Sequence, residues 1–400
     1  MPNFYFHEQS FEFETRGLLG NIHFGCGDIG EAMTAISAIE DGNDTSWVTE
    51  WRNLAERIER VAEQARAGGH DVSARGAFLR AAAYYAAALV AVDGIDDPEE
   101  TLKELFAAHR RCFDSHVSLL PVPAERVSIP YEGTTLPGYL FRPAADGTPR
   151  PTLIVVNGSD AALTMLHPGM VQPGLDRGYN VLLFDGPGQQ SMLFEKNMPF
   201  RHDWEHVITP VVNYLTARSD VDAGRVAIYG ISQAGYWVPR ALAFEHRIAA
   251  GIADPGVDDV AASWRPNIPA EGLALLDAGE QQAFDAAVAA AIAPLGPNMA
   301  QTVAWRSKPY GKSGPYETFK AVEQYRLGDL VDQISTPMLI TDPEGESFWP
   351  GQAQRLFNAL PGTKTYAPFT EAEGAGMHCE PMARSLVTQR IFDWLDDTRR

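Results

Sequence analysis

The chain has 400 residues, 45% of them hydrophobic and 21% charged, room for one large α/β domain and an accessory unit. Its net charge of −20 argues against nucleic acid or an anionic membrane as partner, because both would repel it. Three scattered cysteines, Cys26, Cys112 and Cys379, form neither a disulfide framework nor a zinc-ligand spacing.

The opening residues, Met-Pro-Asn-Phe-Tyr-Phe-His-Glu, lack the basic start and apolar core of a signal peptide. Residues 28–120 have helical character. Trp47, Trp51, Leu54, Ile58 and Val61 recur at spacings of three and four and mark one apolar face. An alanine-rich helix is predicted over 77–92, carrying Tyr84 and Tyr85, and an amphipathic helix over 98–115. The longest apolar run, 81–92, lies between Arg80 and Asp93 and is too short to span a bilayer. Pro121 and Pro123 close the helical block. The chain therefore reads as cytosolic. A small molecule is its expected partner, no cofactor is expected, and a homodimer is compatible with it.

Beyond residue 120 the pattern becomes strand and helix in alternation. Strands are predicted at 125–129, 135–141, 151–157, 180–185, 225–229, 248–253, 337–341 and 363–369, with a closing helix over 386–394. Apolar strands alternating with helices imply a mostly parallel, doubly wound sheet covered on both faces. Residues 257–330 interrupt this rhythm with helix formers and then aromatic and basic residues, the place for a lid. The expected division is a helical cap domain, 1–120, and an α/β unit, 121–400, with a helical insertion at 257–330.

The stretch Val226-Ala-Ile-Tyr-Gly-Ile-Ser-Gln-Ala-Gly235 carries the chemistry. An apolar strand breaks at Ser232 before a helix, with small Gly230 and Ala234 two residues to either side. This is the pattern of a nucleophile elbow, with Ala at the position where Gly is usual. A serine hydroxyl needs a base, and the base needs a carboxylate. His378, in a glycine-bearing loop after the last strand, is the single histidine downstream of residue 250. The carboxylate falls in Asp342-Pro-Glu-Gly-Glu346. Register favours Glu346, and Asp342 at the strand's end competes with it. The oxyanion donors are expected to be the N–H of Gln233 and that of Gly158 or Ser159, after the strand at 151–157. Asp185-Gly-Pro-Gly-Gln189 reads as a structural turn and Cys379 as a buried loop residue. Arg80, Tyr84, Tyr85, Trp305 and Arg306 read mainly as core or solvated face.

Taken together, the elbow, the Asp-Gly-Pro-Gly turn, the Gly-Met-His-Cys loop, the helical block and Gly20-Asn-Ile-His-Phe-Gly-Cys-Gly-Asp-Ile-Gly30 resemble a group of α/β-hydrolases. That group includes 2,6-dihydroxypseudooxynicotine hydrolase and the fungal pigment hydrolases that shorten polyketides. The resemblance implies an α/β-hydrolase fold, nucleophile Ser232, base His378 and acid Glu346 or Asp342. It implies cleavage of a carbon–carbon bond next to a ketone. Some relatives use an extra carboxylate after the elbow; Asp254, Asp258 and Asp259 lie nearby without a clear match. The same triad would serve an esterase or acyltransferase, the second reading. A non-catalytic ligand receptor is the third, and retention of Ser, His and acid speaks against it.

Overall fold

The computed structural model describes residues 4–398, so the first three and last two residues of the expected units lie outside the described residues. Helices α1 (Gln9–Asn21), α2 (Ile29–Ile36), α3 (Asp44–Ala67), α4 (Asp71–Leu89) and α5 (Pro98–Ser118) precede the first strand. Their starts are written locally. Asp28 caps α2 by accepting from Gly30 and Glu31, Asn43 caps α3 by accepting from Ser46, and Pro98 opens α5. On α3 the buried face runs Trp47, Trp51, Leu54, Ile58 and then Ala62, while Val61 is exposed. The expected stripe drifts by one residue because a helix turns every 3.6 residues, which places the residue four after Ile58 on the face. α1 lies outside the predicted helical stretch altogether.

The predicted strands appear as β1 (Glu125–Tyr131), β2 (Thr134–Phe141), β3 (Arg150–Val156), β4 (Asn180–Phe184), β5 (Val221–Ile231), β6 (Ala250–Asp254), β7 (Met338–Pro343) and β8 (Lys364–Phe369). They form one sheet in the order β1-β2-β4-β3-β5-β6-β7-β8. β1, β2 and β4 pair antiparallel, and every pair from β4 to β8 is parallel. Glu132 and Gly133, with φ of +37° and +79°, make the tight β1–β2 turn that only left-handed residues allow.

Helices α6 (Gln172–Asp176), α7 (Gln190–Phe194), α8 (Glu205–Thr216) and α9 (Ala234–Leu242) fall among β3 to β6. Between β6 and β7 lie α10 (Ala270–Ala278), α11 (Gln281–Ile292), α12 (Pro297–Ser307) and α13 (Pro315–Val322), partly built on a small core of their own around Ile268, Leu276 and Phe284. α14 (Gln352–Ala359) follows β7 and α15 (Arg384–Thr398) follows β8.

Alternation along the strands makes two cores. Leu153 and Val155 join the N-terminal helices and α15 on one face, while Ile154 and Val156 join α8, α9 and α14 on the other. The helical block thus shares its apolar core with one face of the sheet. Among the described residues, no helix is long and apolar enough to cross a membrane.

Three buried histidines sit where the helical block meets the sheet unit. His109 and His116, on α5, donate Nδ1–H to the carbonyls of Ala82 (2.9 Å) and Arg75 (3.0 Å), and the His116 ring meets His167 at 5.0 Å. Burial pushes His109 and His116 down to about 4 and His167 well below its ordinary value. Such an imidazole takes up a proton on unfolding, so stability is whole above pH 6.5 and is lost as pH falls toward 4. Each of the first two shifts is worth on the order of 3 kcal/mol at the acid limit. Urea unfolding from pH 7 to pH 4 should therefore show a loss that His109→Gln reduces by about 2–3 kcal/mol. Identical pH profiles for the two proteins would contradict this.

Candidate active site

Three loops at the carboxyl ends of parallel strands bring the expected residues together, as ligand sites in such sheets require. Ser232 follows β5 with φ of +56°, in the left-handed region that a side chain rarely enters. Its N–H donates to the Asp254 carbonyl at the end of β6 at 2.6 Å, which anchors the turn to the neighbouring strand. Small residues are required here for reasons of space. A Cβ on Gly230 would come within 2.6 Å of Val238 Cγ2, and one on Gly235 would overlap the Pro255 carbonyl. Gly235, rather than position 234, is therefore where the crossing of helix and loop admits no side chain. Ala234 is tolerated.

Ser232 Oγ lies 3.0 Å from His378 Nε2, and His378 Nδ1 lies 2.6 Å from Glu346 Oε2. With Nδ1–H donating to the carboxylate, Nε2 is left to accept the serine hydroxyl. The other Glu346 oxygen accepts from the N–H groups of Phe348 (2.7 Å) and Trp349 (3.1 Å). Burial opposes ionisation of Glu346, yet His378 and these two N–H groups hold its carboxyl below the usual range. Asp342 does not reach the histidine. It accepts the Tyr366 hydroxyl, and burial, with Glu346 nearby, raises its pKa.

The two loops that carry Glu346 and His378 are tied by their backbones. Gly345 N–H donates to Gly376 O at 2.7 Å, and Glu371 N–H donates to Glu344 Oε2 at 2.8 Å. A Cβ on Gly345 would sit 2.8 Å from Gly376 O, and one on Gly376 would sit 2.7 Å from Glu371 Cγ. The glycines on both sides of the acid and base are the condition of that close approach.

The remaining candidates separate clearly. Gly158 N–H is used by Asn157 Oδ1 at 2.8 Å, so of the two donors expected after β3 the Ser159 N–H is the one left open. Neither Ser159 N–H nor Gln233 N–H has an intramolecular partner among the described residues. Gly158 matters through its size instead, because a Cβ there would lie 2.9 Å from Ser232 Cβ. Gln189, which the sequence reading placed in a structural turn, braces this loop by donating to Asn157 O (2.6 Å) and Gly158 O (3.2 Å).

Asp254 is fully buried and accepts from Tyr229 (2.5 Å) and Thr341 (2.8 Å); Asp258 is paired with Arg355. Asp254, Asp258 and Asp259 do not line the cavity. Cys379 is buried with Sγ 3.2 Å from His378 Nε2, and burial drives its thiol pKa well up, which disfavours the thiolate.

Ser232 and His378 open into a cavity of about 590 Å³, the size of an ordinary small-molecule site. The insertion contributes Trp264, Trp305 and Tyr310, and the N-terminal block contributes Phe13, Leu18 and Ala86. Tyr84 and Tyr85 face elsewhere, bonded to Glu31 and Glu59. Helix α1 packs against the loop that carries His378. Arg16 donates to Met377 Sδ at 2.9 Å, and a Cβ on Gly20 would overlap the Pro381 carbonyl. Its sequence hides this role, because its buried face includes the Glu12–Arg16 ion pair. Among the described residues, no cluster of His, Cys, Asp and Glu is arranged to hold a metal ion.

No family model matches the chain. The hydrolase LUC6 of a Fusarium species is 28% identical over 404 residues, covering 97% of this chain and 96% of that protein. The 20-hydroxy-prefusarin hydrolase FUS2 of Gibberella moniliformis is 29% identical over 409 residues, covering 98% and 97%. Among solved structures, the 2,6-dihydroxy-pseudo-oxynicotine hydrolase superposes with a TM-score of 0.72 at 21% identity, covering 95% of each chain.

The geometry separates the two carboxylates in a measurable way. Labelling of Ser232 by a serine-directed phosphonate should slow about a thousandfold in Glu346→Gln, where imidazole orientation is lost. In Asp342→Asn it should change no more than a few-fold. Equal effects in the two variants would contradict the assignment.

Proposed function

We propose that this chain, which has an α/β-hydrolase fold and hydrolases among its relatives, is a cofactor-independent serine hydrolase cleaving a carbon–carbon bond next to a ketone in an aromatic or polyketide-like small molecule. The observation that carries this reading is the hydrogen-bonded line Glu346–His378–Ser232, at 2.6 and 3.0 Å, facing a largely apolar cavity. Ser232 attacks the carbonyl while His378 Nε2 takes its proton. Glu346, held ionised by its three hydrogen bonds, stabilises the imidazolium that forms. The free N–H groups of Gln233 and Ser159 supply the oxyanion donors.

The choice of bond is supported by the chamber. Phe13, Trp264, Trp305, Phe348 and Trp349 line it, and aromatic walls suit a flat, conjugated ligand. Excluding bulk water protects an expelled carbanion until it is protonated. FUS2 is named for hydrolysis of 20-hydroxy-prefusarin and the similar solved enzyme for that of 2,6-dihydroxy-pseudo-oxynicotine, which fits the same class of substrate.

Ser232→Ala should fold normally and lose about 10³-fold or more in turnover. With the wild-type protein, a β-diketone or aryl ketone should show a much higher kcat/KM than a matched aryl ester. Efficient ester hydrolysis with no ketone touched would make the esterase reading the correct one. Ser232→Ala activity within tenfold of wild type would refute the triad.

A further inference from the structure

Glu14 lies on α1 and lines the same cavity as Ser232 and His378, although the triad has no use for it. It is surrounded by protein yet keeps accessible surface, and that surface faces the cavity. No hydrogen bond or ion pair joins its carboxyl to another described residue. The charges that act on it come from other elements: Asp160 from the loop after β3, and Arg306 from α12. Both line the cavity, and the Arg306 guanidinium lies 4.9 Å from the centre of the Phe348 ring, beside His378. Within α1, Arg16 is taken by Glu12 at 2.6 Å.

Burial pushes the Glu14 carboxyl up to about 8, with Asp160 adding to the rise and Arg306 opposing it. At neutral pH this is a carboxylic acid with a proton to give. A buried carboxyl kept without a partner is destabilising unless something in the cavity meets it.

Carbon–carbon cleavage has a requirement that ester cleavage lacks. When the tetrahedral intermediate on Ser232 collapses, the electron pair of the broken bond leaves on carbon as an enolate, and that carbon must receive a proton. We propose that Glu14 is a further catalytic residue, the acid that protonates the expelled enolate carbon. The assignment rests on the carbon–carbon reading above.

The protons balance. Ser232 gives its proton to His378 on attack. The carbon–carbon bond breaks, and the enolate carbon takes the Glu14 proton, which leaves an acyl-serine, a carboxylate and an imidazolium. The imidazolium proton passes through cavity water to Glu14. Neutral His378 then takes a proton from the attacking water and returns it to Ser232 Oγ as the acyl group leaves. One water is consumed, and a carboxylic acid and a ketone are released.

Glu14→Gln keeps the shape of the side chain and removes its acidity. Steady-state kinetics on a β-diketone and on an aryl ester with the same acyl group distinguish the possible roles, because a stable aryl oxide leaves without an acid. The diketone kcat should fall about a hundredfold or more. The ester kcat should fall far less than the diketone kcat, a thermal melt matching wild type reports an intact fold, and Glu14→Asp should recover part of the diketone rate. Undiminished diketone cleavage in Glu14→Gln would overturn the role of Glu14 and leave the carbon–carbon reading standing. Equal losses on both substrates would make Glu14 a structural residue and overturn it as well. A wild-type protein that hydrolyses esters but no ketone would refute the carbon–carbon reading itself, and Glu14's role with it.

Discussion

Ser232 occupies a left-handed backbone conformation that costs an L-residue roughly 1–2 kcal/mol, and its surroundings are built to hold it there. The Ser232 N–H is fixed on Asp254 O at the end of β6. The Asp254 carboxylate is in turn fixed by Tyr229 from β5 and Thr341 from β7. Three adjacent strands therefore converge beneath one turn. The absence of side chains at Gly230, Gly235 and Gly158 lets helix, loop and neighbouring strand close around it. The serine hydroxyl then lies 3.0 Å from His378 Nε2.

The same closeness sorts the carboxylates of the site into charged and neutral groups, the usual way one fold combines base and acid chemistry. Glu346 is buried but accepts three hydrogen bonds and stays ionised. Glu380, behind the histidine loop, is buried beside Asp254 and has its pKa driven well up. Arg384 shares that enclosure and donates to the Cys379 carbonyl at 2.5 Å, bracing the two left-handed residues, Cys379 and Glu380, that follow the base. Glu14, on α1, lines the cavity itself. Burial has the same direction of effect on all three carboxyls, and only the one with a full set of donors escapes it.

What could be read from the chain follows from the range of the interactions involved. The strands, the elbow and the late histidine are local patterns, and they appear where the sequence places them. Register favours Glu346 without excluding Asp342, because the contact with His378 also depends on Gly345 meeting Gly376 across two loops far apart in sequence. Gly158 carries both a candidate N–H and a required absence of side chain, and only the position of Asn157 Oδ1 distinguishes them. α1 escaped notice because it buries Glu12, Thr15 and Arg16 with Phe11 and Leu18, so its inner face has no apolar period. Tyr84 and Tyr85 show the reverse. Aromatic residues that could have met a ligand are spent on internal carboxylates.

The central claim is that catalysis passes through a covalent bond to Ser232, although Cys379 Sγ lies 3.2 Å from the same imidazole nitrogen. Acid quenching during turnover of a β-diketone, followed by peptide mass spectrometry, tests it most directly. The account predicts one acyl adduct, with the mass of the retained fragment, on the peptide containing Ser232. Turnover with no adduct there, or with the acyl group on Cys379, would contradict it.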